Sequence, residues 1–150
     1  MVPEVVLVNT LVDWNHLAET VVPELVAGDV LALSGPLGAG KTTFTQALAQ
    51  TLGVKEVPRS PTFSLMSTYQ IHNHPSFRRL VHIDAYRLET PGALLALHLE
   101  EEPMEPGSLF VIEWPENIQA WFDRQEKYYF MKIIPQTGEQ REVRIETKTR

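Results

Sequence analysis

Nine consecutive residues carry the most specific chemistry in the chain: Gly35, Pro36, Leu37, Gly38, Ala39, Gly40, Lys41, Thr42 and Thr43. The first eight fit G-x-x-x-x-G-K-[ST], the loop that wraps nucleotide phosphates. Glycines at Gly35, Gly38 and Gly40 let the backbone N–H groups around Leu37 and Ala39 converge on phosphate oxygens. Lys41 places a cation on the β- and γ-phosphates, the Thr42 hydroxyl reaches a bridging Mg²⁺, and Thr43 continues the cradle. A helix opening at this point adds its positive N-terminal end to the anion site.

Two carboxylates fall where such a loop needs them. Leu80-Val81-His82-Ile83 ends in Asp84, and Leu109-Phe110-Val111-Ile112 ends in Glu113. Ligands of open α/β sheets sit beyond the carboxyl ends of the strands, the edge that the phosphate loop also occupies. If the three strands are parallel neighbours, Asp84 and Glu113 converge on Lys41 and Thr42. Mg²⁺ on phosphates needs one or two carboxylates plus the loop hydroxyl, and a second carboxylate can orient the attacking water. A strand-end cap or an ion-pair partner is the other reading of either acid. Within Ser60-Pro61-Thr62, a threonine one βα unit past the loop occupies the place from which other nucleotide hydrolases sense the γ-phosphate. A plain rigid turn is the alternative there. Arg59 and Arg87 offer charge to phosphates or to surface ion pairs. Trp114 reads as core, and the five histidines show no metal-ligand spacing.

The elements that must hold these residues are legible in outline. Val30-Leu31-Ala32-Leu33-Ser34 is a continuous apolar run, the pattern of a buried parallel strand. Phe44, Ala47, Leu48 and Leu52 mark one face of a helix, with Gly53 at its C-terminal stop. Val5 to Val8 predicts an edge strand, and Asp13 an N-cap for a helix from Trp14 to about Val22, disturbed by Pro23. Leu65 to Ile71, Leu80 to Asp84 and Leu109 to Glu113 predict strands, with a helix from Pro91 to about Leu99 and an acidic loop over 100–107. Ile118 to Phe122 predicts a short helix. Lys127 to Ile134 and Arg141 to Thr147, joined around Gly138, read as an antiparallel hairpin. No repeat or linker divides the chain, so residues 1–150 are expected to form a single P-loop nucleotide-binding domain. The fold class is α/β: a P-loop NTPase-like three-layer α/β/α arrangement with a mostly parallel central sheet and the hairpin at its end.

Composition limits the alternatives. The chain has 150 residues, 43% hydrophobic and 21% charged, and no cysteine. Disulfides, thiolate metal sites and a cysteine nucleophile are therefore excluded. No run of 18 apolar residues occurs, and Met1-Val2-Pro3-Glu4 shows no basic-then-apolar signal, so a soluble cytoplasmic protein is expected. The net charge of −6 is uneven. Residues 1–123 hold 15 acidic against 6 basic groups (−9), and residues 124–150 hold 4 against 7 (+3). An acidic body argues against tight unaided binding to nucleic acid.

Four motifs in order, the phosphate loop, Ser60-Pro61-Thr62-Phe63, Asp84-Ala85-Tyr86-Arg87-Leu88 and Glu113-Trp114, resemble the TsaE (YjeE) family. That family is the P-loop ATPase of bacterial tRNA threonylcarbamoyladenosine synthesis. The resemblance covers roughly residues 30–118. It implies ATP and Mg²⁺ as cofactors, with Lys41 on the phosphates, Thr42 and Glu113 on the metal and Asp84 serving hydrolysis. It implies a switch-like loop over Ser60 to Phe63, which includes Thr62. It further implies partnership with the TsaD–TsaB pair, with tRNA reached only through that complex. Pro36 departs from the pattern, since the family usually carries an acid there. A small P-loop kinase phosphorylating a metabolite is the alternative, but no long arginine-bearing lid is visible. A GTP switch lacks its N-K-x-D guanine-reading sequence.

Overall fold

The apolar run Val30–Ser34 forms β2, and α2 (Lys41–Leu52) begins directly after the glycine-rich loop. The computed structural model describes residues 2–59, 66–86 and 106–150. In chain order the other elements are β1 (Val5–Val8), α1 (Leu11–Val21), β3 (Met66–Gln70), β4 (Arg79–Asp84) and β5 (Ser108–Glu113). The short α3 (Gln119–Asp123), β6 (Lys127–Pro135) and β7 (Arg141–Thr149) complete them. Single 3-10 turns at Val22–Glu24 and Pro115–Ile118 follow α1 and precede α3. The expected helix at Pro91 to Leu99, most of the acidic loop, Arg87 and the Ser60 to Phe63 segment lie outside the described residues.

The seven strands form one sheet in the order β1-β7-β6-β2-β5-β4-β3. The centre is parallel: β6, β2, β5 and β4 run together, with Leu33 beside Glu113 and Asp84 beside Glu113. The β6–β7, β7–β1 and β3–β4 pairs are antiparallel. The sheet is thus mixed, and the expected mostly parallel character holds only for the central strands. The hairpin is the reason: β6 joins the parallel block at β2, and its tight return through β7 must be antiparallel.

Strand alternation divides the core in two. Leu31, Leu33, Leu80, Leu109 and Val111 pack with Leu17, Phe44 and Leu48 of α1 and α2. Ala32, Val81, Ile83, Phe110 and Ile112 face the opposite way and pack with Ile118, Trp121 and Phe122. Because His82, Asp84 and Glu113 share the parity of Leu80, Leu109 and Val111, they belong to the α2 face.

The start of α1 differs from the sequence expectation. Thr10 is the N-cap, and its side chain accepts from the Asp13 N–H. Asp13 Oδ2 in turn accepts from the N–H groups of Thr10 and Asn9. This is a reciprocal capping box, so Asp13 sits inside the first turn and not before it.

Candidate nucleotide-binding site

Gly40 and Lys41 lie where the glycine loop becomes α2, and tight packing fixes that junction. A Cβ on Gly40 would lie 2.6 Å from the Trp14 ring, and one on Gly35 would lie 2.8 Å from the Ile133 carbonyl oxygen. Both glycines have positive φ, +122° and +157°, so the loop backbone passes where a side chain does not fit. Trp14 also packs on Phe44 of α2 with ring centroids 6.2 Å apart. The loop is gripped from the hairpin side as well. Arg141 donates from Nε to the Ala39 carbonyl at 2.9 Å and more weakly from Nη2 to the Gly38 carbonyl at 3.4 Å. Its Nη1 binds the carbonyls of Gly138 and Gln140, both at 2.9 Å.

One cavity of about 360 Å³ gathers most of the residues singled out from the sequence. Its lining includes Leu37, Gly38, Gly40, Lys41, Thr42 and Thr43 from the loop side and Asp84 and Glu113 from the strand ends. Tyr86 and Trp114 complete it. A neighbouring cavity of about 310 Å³ shares Thr43 and runs between α1 and the segment after α2. Gly35 and Ala39 do not line the larger cavity: Ala39 is buried, and the Gly35 carbonyl accepts from Lys41 Nζ. Thr62 lies outside the described residues.

Lys41 is held in waiting. Its ammonium donates to the carbonyls of Gly35 and of Pro36, the latter at 2.9 Å, and stands 4.2 Å from the Trp114 ring centre. Burial lowers its pKa from the usual lysine value, against the opposing pull of Glu113, Glu116 and Asp84. Asp84 shifts the other way. Burial raises its carboxyl above the ordinary range, opposed by a 3.0 Å bond from the Tyr86 N–H and reinforced by the Glu113 charge. His82 and Lys41 pull it back down. Glu113 is buried, with Oε2 bonded to His82 Nε2.

Trp114 packs against the Phe110 and Ile112 side of the core, as its sequence suggested, but it also lines the cavity. It adopts left-handed φ/ψ of 60° and 52°, an uncommon conformation for a bulky side chain. The indole is only partly buried, between Lys41 and the Tyr86 ring at 5.0 Å. Asn117 secures the far wall by donating to the carbonyls of Ala85 and Tyr86 at 2.9 and 3.1 Å. Ser34 at the end of β2 donates to Glu116 at 3.1 Å. Arg59 is exposed. His74 serves its own turn, its Nδ1 accepting from the N–H groups of Ser76 and Phe77.

Sequence reasoning missed three residues of this site. His82 was discoverable, since a titratable residue two places before Asp84 in a strand must share its face. Trp114 stood in the Glu113-Trp114 motif, but its place beside Lys41 depends on a left-handed backbone, and Arg141 had no local signal, since it acts through a contact across 102 residues. The donor set suits Mg²⁺, because a hydroxyl and two carboxylates border one cavity beside the phosphate cradle. Among the described residues no group of three or more His, Asp or Glu is gathered to hold an ion by itself. A cation sharing phosphate oxygens and keeping waters does not require one.

A family model described as threonylcarbamoyl adenosine biosynthesis protein TsaE matches residues 8–143. The chain belongs to the TsaE family. A TsaE of Bacillus subtilis is 39% identical over 105 residues, which are 70% of this chain and 62% of that protein. A TsaE of a Nostoc species is 45% identical over 98 residues, 63% of this chain and 57% of the relative. These matches therefore span about three fifths of the relatives' own length. A crystal structure of YdiB from Bacillus subtilis superposes with a TM-score of 0.71 at 26% identity, covering 97% of this chain and 85% of that one. The family match agrees with the resemblance drawn from the four motifs. Pro36, at the position that TsaE proteins usually fill with an acid, works through its backbone: its carbonyl accepts from Lys41 and from the Ala39 N–H at 3.1 Å. No helix among the described residues is long and apolar enough to cross a membrane.

Proposed function

We propose that this chain binds ATP in the cradle over Gly35 to Thr43 and hydrolyses it with Mg²⁺, as a cytoplasmic component of tRNA threonylcarbamoyladenosine synthesis. The observation that carries this reading is the convergence of Lys41, Thr42, Asp84 and Glu113 on one cavity at the carboxyl end of the parallel strands. Lys41 leaves the Gly35 and Pro36 carbonyls for the β- and γ-phosphates. Trp114 beneath it confines the ammonium to that path. Thr42 and Glu113 would hold Mg²⁺, which when bound neutralises charge on the transferred phosphoryl group. Asp84, its carboxyl pushed up by burial, stands at the cavity wall to orient the attacking water. Thr62 is assigned to the γ-phosphate sensor and the segment Ser60 to Phe63 to the switch. The cavity sharing Thr43 has room for the nucleoside end.

The partner is the TsaD–TsaB pair, whose cycling ATP hydrolysis drives, and tRNA is met only within that complex. A site that is complete only with a partner makes the lone chain a slow ATPase, since a positive group supplied in trans raises phosphoryl transfer roughly 10³–10⁵-fold. The test is phosphate release from ATP by the wild type and by Lys41→Ala, each with and without the TsaD–TsaB pair and with candidate acceptors such as nucleosides. Release that needs both Lys41 and the pair supports the reading. Phosphate appearing on an acceptor would replace it with the metabolite kinase, and release unaffected by Lys41→Ala would overturn the site.

A further inference from the structure

Beneath the cavity floor lies an imidazole that the proposed chemistry does not use directly. His82 sits in the middle of β4, two residues before Asp84, and the β4–β5 register sets Asp84 beside Glu113. The His82 ring is 0% exposed and Glu113 3%, and Nε2 and Oε2 are 2.5 Å apart. At this depth each group needs the other, because a buried polar side chain without a partner is costly. The proton follows by elimination. His82 Nδ1 has no hydrogen-bond partner among the described residues, so a proton placed only there would be a buried, unsatisfied N–H. It would also leave the Nε2 lone pair facing the carboxylate. A proton on Nε2 puts the donor where the acceptor is.

Glu113 also has a like-charged neighbour. Carboxylates directly opposite one another on adjacent strands repel, and Asp84 and Glu113 are such a pair. Unanchored, Glu113 would turn away from Asp84 and from the loop. We infer that His82 is a positioning residue for the metal-binding carboxylate: its Nε2–H fixes Oε2 of Glu113 and commits the other oxygen to the cavity that Glu113 lines. Partners of this kind orient carboxylate ligands, and their loss typically weakens metal binding 10- to 100-fold. This inference rests on the assignment of Glu113 to Mg²⁺ in the proposed function.

The test compares His82→Leu, which removes the donor, with His82→Gln, whose amide nitrogen reaches as far as Nε2, and with His82→Asn, which is one bond shorter. ATP affinity is measured in EDTA and then across a Mg²⁺ titration. Mn²⁺ binding to the ADP complex, followed by electron paramagnetic resonance, reads the metal without turnover. The expected result is unchanged affinity in EDTA, with the Mg²⁺ and Mn²⁺ midpoints raised about 10- to 100-fold in His82→Leu and His82→Asn. His82→Gln should recover most of that loss. Should His82→Leu fail to fold, the Asn and Gln variants decide: equal, wild-type midpoints in both overturn the inference. A wild-type midpoint in folded His82→Leu overturns it too, while a Glu113→Ala control that has lost its Mg²⁺ response keeps the Glu113 assignment standing. A wild type indifferent to Mg²⁺ overturns that assignment and this inference together.

Discussion

Replacing Arg141 by methionine should loosen the glycine loop without touching any side chain of the proposed nucleotide site. The methionine keeps most of the apolar stem and removes the guanidinium. Two of the four bonds lost are internal to the hairpin turn, on Gly138 and Gln140, and should be felt in hairpin stability alone. Of the two that reach the loop, the Gly38 bond is long and counts for little. The 2.9 Å bond to Ala39 remains. A hydrogen bond to a charged group contributes about 1.5–3 kcal/mol, and partial exposure of Arg141 favours the low end. Because a peptide's C=O and N–H point in opposite directions, anchoring the Ala39 carbonyl aims the Gly40 N–H away from Arg141 and into the loop. Freed, the loop populates out-of-register states, and apparent affinity falls by the competent fraction. A loss near 1.4 kcal/mol is at most about tenfold in ATP or ADP affinity. Calorimetry measures it, with amide hydrogen exchange at Gly38 to Lys41 reporting the loop directly. Arg141→Lys retains the charge but not the fork, so it should recover little. Affinity within about twofold of wild type, with unchanged exchange at those amides, would refute the argument.

Other perturbations separate the remaining parts. Glu113→Ala should make nucleotide affinity nearly unresponsive to Mg²⁺, whereas Asp84→Asn should keep Mg·ATP binding and lose turnover; the opposite pattern would exchange their roles. Asp84→Asn should also raise the melting temperature at neutral pH. With its folded pKa above the unfolded one, Asp84 makes the fold less stable as pH rises from the ordinary carboxylate range through the raised value. Equal melting temperatures above that window would contradict this. Asp13 has the contrary sign: the N–H of Asn9 leads the groups that lower its pKa, so its stabilisation is present above the ordinary carboxylate range and is lost as pH falls through the lowered value. Asp13→Ala should therefore melt lower at neutral pH and converge on wild type in acid. Gly40→Ala should destabilise by about 1–3 kcal/mol in urea unfolding, from its positive φ and the Trp14 ring in its way, and full stability would show that the loop yields there.

The residues that line the cavity beside the glycine loop were legible because each announces itself locally. The loop is one unbroken motif, and Asp84 and Glu113 end apolar runs whose length and composition mark them as strands. Register was not local. That Asp84 stands beside Glu113, and that His82 reaches the latter, depends on β5 lying between β4 and β2. The cap of α1 was misjudged by three residues because Thr10 and Asp13 are both good N-caps, and only the reciprocal bonds decide between them. The sheet read as mostly parallel because its buried central strands carry the strongest apolar signal, while β3 and β7 are largely polar, β1 is only four residues long, and none of the three reveals a direction. Trp114 followed the general rule for indoles only to the edge of the core, where a left-handed backbone also sets it in the cavity wall.

The placement of β1 bears on how the chain reaches this structure during synthesis. The first strand pairs with the last, and the Ile145 N–H bonds the Glu4 carbonyl across nearly the whole sequence. β2, which leads into the glycine loop, has β6 as one of its two neighbours. A nascent chain that has emerged only through β5 therefore holds an unpaired first strand and a β2 open along one edge. Arg141, the loop's latch, emerges later still. Pairing of such separation closes slowly. Until the hairpin arrives, the exposed edge of β2 is a place for another chain to add itself, so the interval before the last strands emerge is when a chaperone would matter most.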